Sequence, residues 1–311
     1  MNIVFMGTPD FAVPTLSALY KAGHNVQAVF CQPDKPKGRG YKLTPPPVKS
    51  MALSHNTPVY QPQSLKNNGE EYIDILKKLS PDCIVVAAYG KILPKSVLDL
   101  PKYGCVNVHG SLLPKYRGAG PIQWAVLNGE EKTGITTMLM GEGIDTGDIL
   151  LQRETSIGEN ETAAELFDRL AVIGSELMIN TLEELEKGAV TPLPQNDSEA
   201  SYAPMLSKDM CELDFSLGVK EIHKKICGLS DWPCAVTYLN GKRLKIYRSE
   251  IVSLNKVSSP VGTVVDPDNF SVACSDGVIR FTEVQAEGSK RMKTADYLRG
   301  KPVYKNTMLG K

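Results

Sequence analysis

With 311 residues the chain is too long for one ordinary core, and its 42% hydrophobic and 23% charged content excludes a disordered or collagen-like polymer. No run reaches the ~18 to 20 apolar residues needed to cross a bilayer, and residues 1–5 enter an apolar stretch without a charged leader or cleavage site, so a cytoplasmic protein of two domains is expected. Basic and acidic side chains both number 35, but residues 1–200 hold 18 and 23 of them (net −5) and residues 201–311 hold 17 and 12 (net +5), so the second part is suited to face a polyanion.

In chain order, residues 3–6 form an apolar strand candidate. A helix follows, with Thr8 as its cap, Pro9 at its first position, and Phe11, Ala12, Leu16, Leu19 and Tyr20 at helical spacing. Further strands are expected at 26–31, 83–88, 105–109 and 135–140, several of them leading into helix-compatible sequence. Strands alternating with helices indicate an α/β fold with a doubly wound, mostly parallel, Rossmann-like sheet. In such sheets ligands sit beyond the carboxyl ends of the strands, which directs attention to the loops after Met6, Cys31, Ala88, His109 and Met140.

Residues 161–187 read as a long helix with Leu166, Leu170, Ile173, Leu177 and Leu185 on related faces. Pro192, Pro194 and the polar run 195–201 then interrupt it. The expected organisation is a catalytic domain over 1–188, a linker over 189–206 and a second domain over 207–311. That second domain carries a helix at 219–227 and five short strands at 236–239, 243–252, 262–265, 270–274 and 278–284. With turn pairs such as Asn240-Gly241 and Asp276-Gly277, these suggest a small OB-fold-like β-barrel. Seven scattered cysteines without a Cys-x-x-Cys pair, and no cluster among the four histidines, indicate neither a disulfide framework nor a metal site.

The turn Gly7-Thr8-Pro9-Asp10 lacks the Gly-x-Gly-x-x-Gly spacing through which a backbone approaches pyrophosphate, which disfavours a dinucleotide cofactor. The stretch 105–118, CVNVHGSLLPKYRG, is more informative. Strand alternation points Asn107 and His109 to one face, both at the carboxyl end. Acyl transfer between amines needs donors for a tetrahedral oxyanion and a group that moves a proton at neutral pH, and an amide beside an imidazole supplies both. A lone histidine in a strand is more often structural than catalytic; its place at the ligand end favours the catalytic reading. Cys105 lies deeper on the same face, where packing suits it better than nucleophilic attack. Directly after the strand ending at Met140, the glycine-rich run 141–148 holds Asp145, placed to orient His109. Its oxygen spacing does not match a calcium loop.

Asn107-x-His109, followed by Ser111-Leu112-Leu113-Pro114 and Gly118, with Asp145 further on, resembles the signature of the 10-formyltetrahydrofolate-dependent formyltransferases. Residues 7–12, the insert 32–40 and the C-terminal part are similar to the branch of that family acting on initiator methionyl-tRNA. The resemblance implies Asn107, His109 and Asp145 as the catalytic trio and 10-formyltetrahydrofolate as co-substrate. Ser111, Leu112, Leu113, Pro114, Tyr89, Gly90, Ile92, Leu93 and Gly143 would contact the folate, and no metal is required. It implies direct transfer of the formyl group from the folate N10 to the amine of methionyl-tRNA, by a monomeric enzyme, for translation initiation.

Residues 32–49 carry Lys35, Lys37, Arg39, Lys42 and Lys49 against the single acid Asp34. Their glycines and prolines are expected to prevent regular structure, leaving a mobile basic loop for tRNA. Arg39, flanked by Gly38 and Gly40, is the only arginine in it. Lys208 matches a recurrent family position and joins the tRNA candidates. Lys242, Arg243, Lys245, Arg248, Lys290, Arg291 and Lys293 would add phosphate contacts. Competing readings are hydrolysis of the formylfolate, formylation of a small amine such as a nucleotide sugar, an RNA-binding module without catalysis, and a Rossmann-type oxidoreductase.

Overall fold

The computed structural model describes residues 1–37, 41–67 and 69–310. It divides into two compact units: Met1–Gly118, Gly134–Thr155 and Phe167–Tyr202 make the first, and Ala119–Thr133, Ser156–Leu166 and Ala203–Lys311 the second.

In chain order the elements up to the long helix are β1 (Asn2–Gly7), α1 (Val13–Lys21), β2 (Asn25–Phe30), β3 (Lys35–Lys37), β4 (Lys42–Thr44), α2 (Pro47–Ser54), β5 (Val59–Tyr60), α3 (Glu70–Leu79), β6 (Cys83–Ala87), α4 (Lys95–Leu98), β7 (Cys105–His109), α5 (Pro121–Leu127), β8 (Lys132–Leu139), β9 (Ile149–Ser156) and α6 (Ala163–Lys187). The first unit's sheet has the order β5-β2-β1-β6-β7-β8-β9. Its strands β5, β2, β1, β6 and β7 pair in parallel. Residues 3–6 of β1 and all of β6 are fully or almost fully buried, as continuous apolar runs are when helices cover both faces of a parallel sheet.

Three details differ from the sequence reading. Thr8 does not cap a helix: a 3-10 turn over Asp10–Ala12 precedes α1, Pro14 occupies the first turn of α1, and the Thr8 hydroxyl instead accepts from the Gln32 amide and donates to the Tyr89 carbonyl. The basic segment is not irregular throughout, because β3 and β4 pair as an antiparallel ribbon with Lys35 opposite Thr44 and Lys37 opposite Lys42, and α2 begins at Pro47. Proline is tolerated there because a two-stranded ribbon leaves one edge of each strand unpaired, and a helix start needs no donor. Finally, β8 runs antiparallel to β7, with Leu139 opposite Val106 and Thr136 opposite His109. The chain therefore leaves β8 beside the amino end of β7, roughly 10 Å of strand away from His109, and not at the carboxyl end.

α6 begins with a capping box. The Thr162 hydroxyl accepts from the Glu165 amide, and the Glu165 carboxylate accepts from the Thr162 amide and hydroxyl. In the second unit come α7 (Val219–Leu229), β10 (Ala235–Leu239), β11 (Lys242–Ser253), β12 (Val264–Asp266), β13 (Ser271–Ala273), β14 (Val278–Ala286), β15 (Met292–Lys293) and α8 (Thr294–Gly300). The strands form an antiparallel sheet of order β10-β11-β14-β13-β12, with β15 on β14. The chain's last residues bridge its two edges: Leu309 pairs with Leu239 of β10, Met308 with Thr263 beside β12. That closure gives the sheet a barrel-like form around Phe215, Ile246, Phe270, Ile279 and Phe281.

Candidate active site

Asn107 and His109 stand at the carboxyl half of β7. His109 is 5% exposed, and its ring is held from both sides. Nε2 lies 2.9 Å from the Tyr116 carbonyl. A carbonyl only accepts, so Nε2 carries a proton in this arrangement. Nδ1 lies 3.6 Å from Asp145 Oδ2, within ion-pair range but longer than a hydrogen bond. Asn107 is half-buried, and among the described residues no hydrogen bond engages its amide, leaving a donor at the sheet edge.

Asp145 reaches His109 because the 141–148 loop doubles back from the far end of β7. Asp145 takes a left-handed backbone conformation, φ 52°, which aspartate tolerates better than most residues. Its carboxylate accepts a 2.8 Å hydrogen bond from the Gly118 amide. Gly147 passes so close to the Leu139 carbonyl that a Cβ would collide with it.

Behind this loop lies a group that sequence reasoning missed. Gln195 Nε2 donates to the main-chain carbonyls of Asp145 (2.9 Å) and Gly147 (2.7 Å). Its Oε1 accepts from Arg117 Nε and Nη2 at 3.0 and 2.9 Å, and Nη2 also donates to Asp197 at 2.8 Å. Arg117 is 2% exposed, so its guanidinium depends on these acceptors. The stretch around Gln195, read as a linker, is laid along the first unit: Leu193 pairs with Ile149, Arg117 with Tyr202, and Ser201 accepts from the Tyr116 and Arg117 amides. Arg117 stood within the 105–118 motif; nothing local marked Gln195.

The folate candidates divide by exposure. Ser111 is buried and its hydroxyl donates to the Lys115 carbonyl, while Leu113 packs with Met138 and Ile149. Thr136 and Gln152 tie this turn together, Gln152 Nε2 donating to the Leu113 carbonyl and to Thr136 Oγ1. Tyr89 and Leu93 belong to the core, whereas Gly90 and Gly143 are exposed, Leu112 and Pro114 half-buried. Ile92 and Ile144 are 66% and 67% exposed, so the segments 89–93 and 143–145 each leave one aliphatic side chain uncovered. Cys105 is buried, donates toward the Val97 carbonyl, and burial pushes its thiol up to about 12, which suits packing and not nucleophilic attack.

Of the tRNA candidates, Arg39 lies outside the described residues, and Lys37 and Lys42 are placed by backbone alone. Lys35 is exposed and donates to Gln32. Lys49 is committed to structure: it ion-pairs with Asp34 at 2.8 Å and donates to Gln61, whose side-chain amide in turn donates to Asp34, and the hydrogen bonds from Lys49 and Gln61 hold the Asp34 carboxyl below its ordinary range. In the second unit Lys208 is exposed beside Tyr238 and Arg243, at the rim of a depression of about 350 Å³. Arg248 and Arg291 are not free cations, since Arg248 pairs with Glu165 and Glu283, and Arg291 with Asp231 and Glu283. Lys242, Arg243 and Lys245 form no ion pair among the described residues. No group of three or more His, Cys, Asp or Glu among the described residues is arranged to hold a metal ion.

This arrangement has counterparts among known proteins. The formyl transferase family matches residues 1–182, and the formyl transferase C-terminal domain matches residues 205–302. The chain belongs to the formyl transferase family. It is 49% identical over 305 residues to the methionyl-tRNA formyltransferase of Clostridium novyi (strain NT), covering 97% of this chain and 98% of that protein. Among solved structures, this formyl transferase resembles the N-formyltransferase of Helicobacter canadensis, solved with folinic acid and dTDP-3-aminofucose. The TM-score is 0.69 at 21% identity, over 92% of this chain and 99% of that one. It also resembles HypX from Aquifex aeolicus, solved with tetrahydrofolic acid, with a TM-score of 0.66 at 18% identity over 96% of this chain. It spans about half of the HypX chain, 47%. At such identities the likeness is one of fold.

Proposed function

We infer that the chain transfers the formyl group of 10-formyltetrahydrofolate to the α-amine of methionyl-tRNA for translation initiation. The observation that carries the chemistry is the convergence at β7 of an unengaged amide, Asn107, and an imidazole, His109, backed by the Asp145 carboxylate. Near-full-length identity with relatives named for the tRNA substrate, including the C-terminal domain, supports the acceptor.

In this reading the amine nitrogen attacks the formyl carbon, the developing oxyanion is met by Asn107 and His109, the carbon–N10 bond breaks, and the proton lost by the amine ends on N10. No covalent enzyme intermediate is needed. The entering substrate takes the place of the Tyr116 carbonyl as partner of His109 Nε2, and the 3.6 Å separation from Asp145 tightens in the complex. A pterin needs apolar walls and main-chain polar groups; the uncovered Ile92 and Ile144 and the exposed backbone at Gly90 and Gly143 fit that demand. Residues 1–188 serve as catalytic domain and 189–206 as connection. Residues 207–311 contact tRNA, with Lys208 and Arg243, while Lys35, Lys37, Arg39 and Lys42 approach its aminoacylated end. The enzyme works as a cytoplasmic monomer.

The test is a formyl-transfer assay with 10-formyltetrahydrofolate and a choice of acceptors. Product is expected on methionyl-tRNA. Turnover confined to a nucleotide sugar, a small amine or water would overturn the reading.

A further inference from the structure

We propose that Gln195 is a positioning residue for the reaction, holding the Asp145 carboxylate against His109 through the main chain of the 141–148 loop. The inference rests on the roles given above to His109 and Asp145. Its basis is a hydrogen-bond arrangement that only a primary amide satisfies. The Asp145 and Gly147 carbonyls can only accept, so the group facing them must bear two N–H donors. The Arg117 guanidinium can only donate, so the group facing it must be an acceptor. Gln195 meets both at once, and Arg117 thereby fixes which end of the amide is oxygen.

The need for such a clamp follows from the topology. The chain leaves β8 opposite Val106, and the loop must return along β7 to bring Asp145 within 3.6 Å of His109. Asp145 is left-handed, and two glycines, Gly143 and Gly147, flank it. Local sequence does not hold such a backbone in one conformation. The amide bonds the carbonyls of Asp145 itself and of the residue two further on, so the φ, ψ pair that aims the carboxylate is set from outside the loop. Arg117 in turn sits one residue before Gly118, whose amide donates to the same carboxylate. Losing the clamp frees the aim of the carboxylate without removing any group that meets substrate.

The experiment compares Gln195→Ala and Gln195→Glu with wild type, each checked by circular dichroism and thermal melting. Steady-state formylation of methionyl-tRNA is measured across pH. Glutamate keeps the shape and accepts from Arg117 but faces the two carbonyls with no donor, so both variants are expected to lose about ten- to a hundredfold in kcat. KM for 10-formyltetrahydrofolate should stay within about threefold of wild type. The acid limb of the kcat–pH profile should shift, which a loss of stability alone does not produce. Combined with Asp145→Ala, either substitution should cost less than about threefold further, because the carboxylate it positions is already gone. Unchanged kcat in a folded Gln195→Glu protein overturns the proposal, as does a full, multiplicative loss in the Asp145→Ala background. Should Gln195→Ala fail to fold, the Glu variant and its double mutant decide. His109→Ala, run in parallel, separates the two levels: normal turnover there overturns the proposed chemistry, whereas normal turnover only in the Gln195 variants overturns the clamp.

Discussion

The 141–148 loop and the 32–49 segment were both read as glycine- or proline-broken loops serving one site, yet they are held in opposite ways. The first is fixed at atomic detail: a left-handed Asp145, a Gly147 with no room for a side chain, two carbonyls on the Gln195 amide, and a carboxylate bound by the Gly118 amide. The second is tied at its root, where Asp34, Lys49 and Gln61 bond one another and Gln32 donates to Tyr89. Beyond that root the β3–β4 ribbon pairs with itself and presents Lys35, Tyr41 and Leu43 outward, Tyr41 being 81% exposed. A carboxylate that orients a catalytic imidazole gains from sub-ångström placement, whereas attraction between cations and a polyanion falls off slowly and tolerates movement.

The comparison breaks most sharply at the trio. His109→Ala and Asp145→Ala should each lower kcat by about a hundredfold or more with far-ultraviolet circular dichroism unchanged, since removing one oxyanion or orienting group typically costs that much. Near-normal turnover in a folded His109→Ala protein would falsify the chemistry assigned to it. Gly147→Ala comes next: the added Cβ meets the Leu139 carbonyl, so the loop shifts, and kcat should drop about tenfold or more with little change in the affinity for tRNA. Gel-shift titration alongside kinetics checks both halves of that statement.

Substitutions in the basic segment should behave in the reverse way. Arg39→Ala is expected to raise KM for methionyl-tRNA about five- to tenfold and to leave folate binding intact, with a shallower salt dependence if a phosphate contact is lost. Arg39→Lys should recover only part, because it restores charge without the planar fork. If kcat and not KM carries the loss in Arg39→Ala, the two segments do not divide the work as proposed.

The smallest effect lies away from both. Burial opposes ionisation of Glu165, but hydrogen bonds from Arg248 and from the Thr162 amide and hydroxyl prevail and bring its carboxyl down to about 2. A depressed folded-state value contributes stability that is full above about 4.5, the ordinary value, and is lost as pH falls toward 2. The melting temperature of wild type should therefore decline more steeply than that of Glu165→Gln between pH 4.5 and 2, while the formylation rate at neutral pH stays the same. Parallel melting curves would remove Glu165 from the account.

Local patterns carried a good deal of this molecule. The apolar runs at 3–6 and 83–87 are continuously buried strands and 105–109 is a strand buried except at Asn107, while Ala88, expected inside its strand, lies exposed and left-handed just beyond its end. The turn pairs around 240 and 276 separate real strands in the second unit. The segment around Asn107 and His109 was legible because strand alternation is local geometry. The ribbon at 35–44 was not, since its pairing depends on an opposite strand that proline content gives no sign of. Likewise Arg248 and Arg291 counted as free cations in composition and became ion-pair partners only when Glu165, Asp231 and Glu283 were brought to them.

Residue types, their periodicity and one motif were thus enough to indicate an α/β sheet followed by a barrel and to point to Asn107, His109 and Asp145. They placed Asp145 near His109 on the wrong ground, as the next loop on the same sheet edge, when β8 in fact runs antiparallel and the loop must come back. Strand direction arises from which neighbours pair across the sheet, a contact between residues distant in sequence that no local pattern encodes. The same holds for Gln195, 50 residues from Asp145: an amide in a polar run acquires its meaning only when folding sets two carbonyls on one side of it and a buried guanidinium on the other.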